Sequence, residues 1–357
     1  MLYVIIPVYN CEKFLETAVD SVLAQPFKDI QIVIVDDGST DASGEIADSL
    51  QVLHDNITVL HQENQGVSAA RNAGIDYVIH MDTGLDGYIA FLDADDLWAK
   101  NAVDERVAAL MNSNEYDLLC FNMCHVNETL TRSDMPDKYD ETPFLGGVKS
   151  VYRHPQHFGS ILYSVQIFEI FNLHFFEEQS YSEDKIFRMQ SLFLSQRVLR
   201  LSKVMYLYRK NESSLTHQSS LAIKYFLPII NGWLKSDYNM EEYRDHCGCE
   251  LREGHTLASV YMLEMAKEHY KFFGNRKELE QVVTEHPHYP EFLKLGKNCV
   301  TPKQFAEYTL LKDHPVRFQI KYYCLGIVHM FLRAAMRFPL AIKAYERKKY
   351  PVKNEYI

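Results

Sequence analysis

The 357-residue sequence predicts an α/β fold on a mostly parallel sheet. Three observations predict it. Short, β-branched apolar runs alternate with helix-period segments over the first 125 residues. The connections between them are short. Gly- and Asp-containing stretches follow the apolar runs directly, where a strand would end.

Taken in order, Tyr3–Val8 is apolar, rich in Val and Ile, and too short for a helix. Asn10 is expected to cap a helix whose apolar positions Phe14, Leu15, Ala18 and Val22 recur at three- to four-residue spacing. Ile30–Val35 is a second buried strand, and residues 41–53 a helix burying Ile46, Ala47 and Leu50, with Asp41 near its start. Ile57–His61 is a third strand, 66–79 a helix, Tyr88–Leu92 a fourth strand, Asn101–Met111 a helix and Leu118–Met123 another strand. Right-handed crossovers between parallel strands bring their C-terminal ends to one edge of the sheet, where open α/β sheets bind ligands. From 126 to 180 the pattern is irregular, with Asp134–Pro143 reading as a loop; Val198–Tyr208 is the last strand, and beyond about 220 the reading is helical. Two domains result, an α/β unit over 1–220 and a helical region over 221–357.

Composition narrows the function. With 47% hydrophobic and 24% charged residues, the chain has the make-up of a folded protein with a large core. The net charge of −11 argues against a nucleic-acid binder, which needs a basic face. Seven cysteines without regular spacing do not form a disulfide framework, so a reducing, cytoplasmic setting is expected, with Cys11, Cys120 and Cys124 as small buried hydrophobes. The opening residues read as a strand rather than a secretory signal, and no apolar run reaches the length of a membrane span. His246-Cys247-Gly248-Cys249 lacks the spacing of a structural zinc site.

Chemistry concentrates at three strand ends: Asp36-Asp37-Gly38-Ser39-Thr40-Asp41, the Asn64–Gly74 turn and helix with Arg71, and Asp93-Ala94-Asp95-Asp96. Carboxylates one residue apart on a bending chain can share a divalent cation with phosphate oxygens; Mg²⁺ takes only one or two protein carboxylates beside phosphates and water. Acidic residues also simply solvate strand ends or cap helices, but two such clusters with an arginine on one edge favour a ligand site.

Val4–Asn10, Ile34–Asp41, Asn64–Gly74 and Phe91–Asp96, in that order and at those separations, resemble glycosyltransferase family 2. Ser182-Glu183-Asp184-Lys185 and Tyr206–Arg209 with Ser214 and Thr216 resemble its later elements, so the likeness runs over about residues 2–217. The stretch Met81–Gly87 departs from it by its length. The resemblance implies a Rossmann-like GT-A fold and inverting transfer from a nucleotide-sugar, usually a UDP-sugar, with Mg²⁺ or Mn²⁺. By that resemblance Pro7 and Tyr9 wall the base pocket, Asp37 accepts the uracil imide proton, and Arg71 serves phosphate or holds an aspartate. Asp93 reaches the ribose and the metal, Asp95 is the direct metal ligand, and Asp184 is the general base with Glu183 beside it. The residue chemistry allows these roles: a tyrosine offers an aromatic face, and a carboxylate in a closed site can take a hydroxyl proton late in the transition state. Taken alone, Glu183 and Asp184 also suit a helix N-terminus. His217 is either a diphosphate contact or an incidental surface residue.

Residues 301–357 carry 11 Lys/Arg against 4 Asp/Glu. Within 316–338, Val316, Ile320, Tyr323, Ile327, Phe331, Ala334 and Phe338 form a helical stripe, with Arg317, Lys321, Arg333 and Arg337 off it. Such a stripe either docks on the protein or, with the basic residues up to Lys353, lies on an anionic membrane. The expected partners are a nucleotide-sugar donor and a glycan or lipid-linked acceptor, at the inner face of the cell membrane. The alternatives are a non-catalytic nucleotide-sugar or glycan binder and a nucleotidyltransferase, the latter disfavoured because Pro7–Glu12 is no Gly-rich phosphate loop.

Overall fold

The computed structural model describes residues 1–81, 86–127, 141–143, 157–177, 183–209, 267 and 302–335. Those up to Arg209 belong to one compact unit, and residues 267 and 302–335 to a second. Ser214, Thr216, His217, the Cys247–Cys249 cluster, the basic tail beyond 335 and most of the 134–143 and 81–87 stretches lie outside the described residues.

The first unit runs β1 (Leu2–Val8), α1 (Leu15–Leu23), β2 (Ile30–Asp36), α2 (Ser43–Leu53), β3 (Ile57–His61), α3 (Val67–His80), β4 (Tyr88–Phe91), β5 (Leu97–Trp98), α4 (Glu105–Asn112) and β6 (Leu118–Val126). A short 3₁₀ turn (Phe158–Ser160), β7 (Ile161–Ser164), α5 (Val165–Phe171), α6 (Glu183–Leu194) and β8 (Val198–Arg209) complete it. The sheet order is β3-β2-β1-β4-β7-β6-β8-β5. β1 and β2 read as continuous apolar runs because helices cover both faces of the sheet; every residue of β1 is buried. Helix α3 lies close on β1: a Cβ at Gly74 would come 2.5 Å from Ile5 Cγ2.

The parallel pairs place the site. Val8 stands opposite Asp36, and Ile5 opposite Phe91, so β1, β2 and β4 end on the same edge. Tyr9, Asp37 and the Asp93–Asp96 turn leave the sheet there.

Strict β/α alternation ends after β4. β7 pairs antiparallel with β4 and β6, and β5 antiparallel with β8. Asn10 does not cap α1: it sits at φ 52°, and its side-chain oxygen accepts from Thr40 N at 2.8 Å. The fourth helix starts at Glu105 rather than Asn101, because Asn101 is left-handed and Asp104 caps by accepting from Val107 N at 3.1 Å.

In the second unit, α7 (Pro302–Asp313) packs against α8 (Pro315–Ala335). Among the described side chains of α8, Phe318 and Tyr322 are buried, and the Tyr322 hydroxyl donates to Glu307 at 2.9 Å. Of the sequence stripe, Val316, Ile320 and Ile327 are 50%, 57% and 41% exposed, and Tyr323 is half-buried.

Candidate active site at the strand ends

The loops after β1 and β2 are laced together. Asn10 N donates to Ser39 Oγ, Cys11 N to Ser43 Oγ, Glu12 N to Asp41 Oδ2 and Ala42 N to Glu12 Oε2. The hydroxyls and acids of the Gly38–Ser43 stretch thus fix the loop that carries Tyr9, whose side chain stands half exposed above the edge. Pro7 is buried in β1, paired with Val35.

Asp37 is almost fully buried and holds the turn into α3. Its Oδ1 accepts from Gln62 Nε2 (2.7 Å) and Gln65 N (2.9 Å), and its Oδ2 from Gly66 N (2.9 Å). A carboxylate has about four lone-pair sites, so one acceptor position remains.

Arg71 is the hub. Its guanidinium is buried, donating from one terminal nitrogen to Asp93 (2.7 Å) and from the other to Glu183 (3.1 Å). It lies 4.5 Å from the Phe158 ring centroid and 5.1 Å from that of Phe175. Burial opposes the charge, but Asp93, Glu183 and Asp184 outweigh it and keep the guanidinium protonated. Each of its terminal nitrogens thus gives one N–H to a carboxylate. Burial in turn pushes Glu183 upward, partly offset by Arg71.

Glu183 and Asp184 open α6, whose Phe187 stacks on Phe175 with centroids 3.8 Å apart. Phe175 is anchored from α3: Asn72 Nδ2 donates to its carbonyl at 2.9 Å, and its N–H donates to Asn72 Oδ1 at 2.8 Å. Helix α3 thus braces both the Asp93 turn and the approach to α6.

The acids of the Asp93–Asp96 turn have three different fates. Asp93 binds Arg71. Asp96 is buried, with Oδ1 accepting from Arg209 N and Oδ2 from Tyr206 Oη, both at 2.7 Å. Asp95 is half-buried, and burial together with Asp93 pushes its carboxyl up to about 6. The Cys11 thiol, raised to about 11 chiefly by burial, also feels Asp95. Two neighbouring acids with their negative charge only partly offset fit a divalent cation that draws its other ligands from a diphosphate and water. They do not fit a cage made by protein alone, since no group of three metal-type side chains occurs among the described residues.

Asp93, Glu183 and Asp184 therefore come together around one guanidinium, with Asp95 beside Asp93 on the same turn and Asp37 and Tyr9 at the adjoining strand ends. Sequence reasoning gave no role to His157, Phe158, Phe175 or Tyr206. The first three lie where no periodicity is visible, whereas Tyr206 was visible as part of a motif without an assigned task. His157 sits against Tyr206, centroids 4.6 Å apart, and burial lowers its basicity so that it favours the neutral ring.

Residues 3–176 match the profile of Glycosyl transferase family 2. The uncharacterized glycosyltransferase EpsJ of Bacillus subtilis is 31% identical over 230 residues, 60% of this chain and 63% of that protein. The minor teichoic acid biosynthesis protein GgaA of the same organism is 29% identical over 238 residues, 65% of this chain and 52% of that protein. The chain thus spans between half and two thirds of these relatives. S. aureus TarS (1–349), solved with UDP, shares the fold with a TM-score of 0.62 at 18% identity, over 90% of this chain and 88% of that one. The same TarS fragment solved with UDP-GlcNAc gives a TM-score of 0.61 at 19% identity, over 92% and 91% of the two chains. The fold is accordingly that of GT-A glycosyltransferases, and residues 3–176 carry the glycosyl transferase family 2 domain.

Proposed function

We propose that this chain is an inverting glycosyltransferase that moves a hexosyl or N-acetylhexosaminyl group from a UDP-sugar to a glycan or lipid-linked acceptor in surface polysaccharide assembly. The observation that carries this reading is Arg71, which joins the Asp93 turn to Glu183 and so sets Asp184 beside the donor-side acids. TarS complexes with UDP and UDP-GlcNAc support the donor class, and GgaA supports the pathway class.

Tyr9 offers a face for the uracil, and the remaining acceptor position of Asp37 suits the imide N–H. Asp93 and Asp95 would hold Mg²⁺ or Mn²⁺, which when bound supplies positive charge to the departing diphosphate. The acceptor oxygen forms its bond to the anomeric carbon as the bond to the diphosphate oxygen breaks. The hydroxyl proton passes to the Asp184 carboxylate, and UDP carries away the electron pair. Glu183, bound to Arg71, orients the start of α6 rather than taking that proton. Contact with an anionic membrane through 316–353, at its cytoplasmic face, would bring a lipid-linked acceptor near; the exposed Val316, Ile320 and Ile327 support it.

Nucleoside diphosphate release measured with Mn²⁺ or Mg²⁺ across UDP-glucose, UDP-galactose, UDP-N-acetylhexosamines and GDP-mannose tests the reading. Release from a UDP-sugar is expected. UDP binding without release from any donor would leave a binding module instead.

A further inference from the structure

We infer that the end of β8 is a clamp that positions the metal-site aspartates, with Tyr206, Arg209 and Asp96 as its positioning residues. This rests on the proposed cation at Asp93 and Asp95.

The turn between β4 and β5 has five residues, Leu92 to Asp96, and three of them are bonded to β8. Tyr206 Oη, fully buried, accepts from Asp93 N at 3.3 Å and donates to Asp96 Oδ2 at 2.7 Å. Arg209 N donates to Asp96 Oδ1 at 2.7 Å, and Arg209 Nε donates to the Asp95 carbonyl at 2.9 Å. Asp96 N closes the turn on the Asp93 carbonyl at 2.9 Å. β5 then continues the hold, with Leu97 opposite Leu207 and Trp98 opposite Tyr206.

The third acid of the motif is therefore not a spare ligand. Asp96 spends both oxygens on the backbone and hydroxyl of β8, at 1% exposure. That leaves the half-buried Asp95 carboxylate on a turn whose backbone is fixed on either side. The Tyr206 ring is itself fixed: a Cβ at Gly159 would lie 2.4 Å from its Cε2. The Arg209 guanidinium lies 5.0 Å from the Phe14 ring centroid, at the entry to α1. One residue thus touches both the acidic turn and the element that follows the Tyr9 loop.

Groups that orient metal ligands typically change affinity by about 10–100-fold when removed. The test titrates Mn²⁺ in the presence of UDP, following loss of the free Mn²⁺ EPR signal, in wild type, Tyr206→Phe, Arg209→Met and Asp95→Ala. Arg209→Met keeps the backbone bond to Asp96 and removes the Asp95 carbonyl contact together with the guanidinium on Phe14 and its charge near Asp95, so it covers the case in which Tyr206→Phe fails to fold. Tyr206→Phe or Arg209→Met should raise the Mn²⁺ midpoint by about 10-fold. UDP affinity in EDTA, and turnover at saturating Mn²⁺, should stay close to wild type. Wild-type Mn²⁺ midpoints in folded Tyr206→Phe and Arg209→Met, with binding lost in Asp95→Ala, would overturn the clamp alone. A wild-type midpoint in Asp95→Ala would overturn the metal assignment beneath it.

Discussion

Glu183 and Asp184 are adjacent acids with different employment. Glu183 gives an oxygen to Arg71 at 3.1 Å, while Asp184 contributes its charge to the same guanidinium without a bond to it. Asp184→Asn is therefore expected to leave UDP-sugar affinity nearly intact and to lower turnover by about 10²–10⁴-fold, measured as steady-state UDP release. A second residue-level expectation concerns His61, held between Asp48 and Asp36 by ring-nitrogen contacts of 3.0 Å each. The Asp48 bond, then the Asp36 bond, raises its basicity in the folded state. A raised folded value means that the stabilisation is full below the unfolded value of about 6.5 and fades as pH climbs through the folded one. The thermal-midpoint gap between wild type and His61→Gln should accordingly be widest at pH 5.5 and narrow by pH 8.5. At this scale the aspartates were legible because they directly follow apolar runs. The aromatic seat of Arg71 was not, since Phe158 and Phe175 come from a stretch whose side chains follow neither the strand nor the helix period.

Among the elements, α3 shows how packing overrides propensity. Glycine inside a helix ordinarily costs about 0.5–1 kcal/mol relative to alanine. At Gly74, however, a methyl group would come 2.5 Å from the buried, branched Ile5. Gly74→Ala should therefore destabilise by about 1–3 kcal/mol, read as a lower midpoint in chemical denaturation. The parallel strands were legible because strands buried on both faces leave unbroken apolar runs. β5 was not, because two residues are too few to show a period, and β7 was not, because it lies in the irregular stretch between 126 and 180. Helix α4 was placed early because its apolar spacing extends back past the true start; the left-handed Asn101 and the Asp104 cap set the boundary.

For the whole molecule, the informative feature is the mismatch between pattern and burial on α8. The periodic stripe was legible, but not which face packs: Phe318 and Tyr322 are buried, while Val316, Ile320 and Ile327 stay exposed beside the exposed Arg317 and Lys321. Sedimentation with phosphatidylglycerol–phosphatidylcholine vesicles checks the proposed membrane contact. Wild type should pellet with them, less so in 0.5 M salt as screening shortens to below about 8 Å, and Ile320→Glu with Ile327→Glu should remain in the supernatant. Equal pelleting of the double variant would place any attachment elsewhere. Gly159 has a practical corollary for engineering. Libraries that randomise residues 157–160 to widen donor choice should hold it constant, since even one added carbon would reach the Tyr206 ring at 2.4 Å and discard otherwise useful clones.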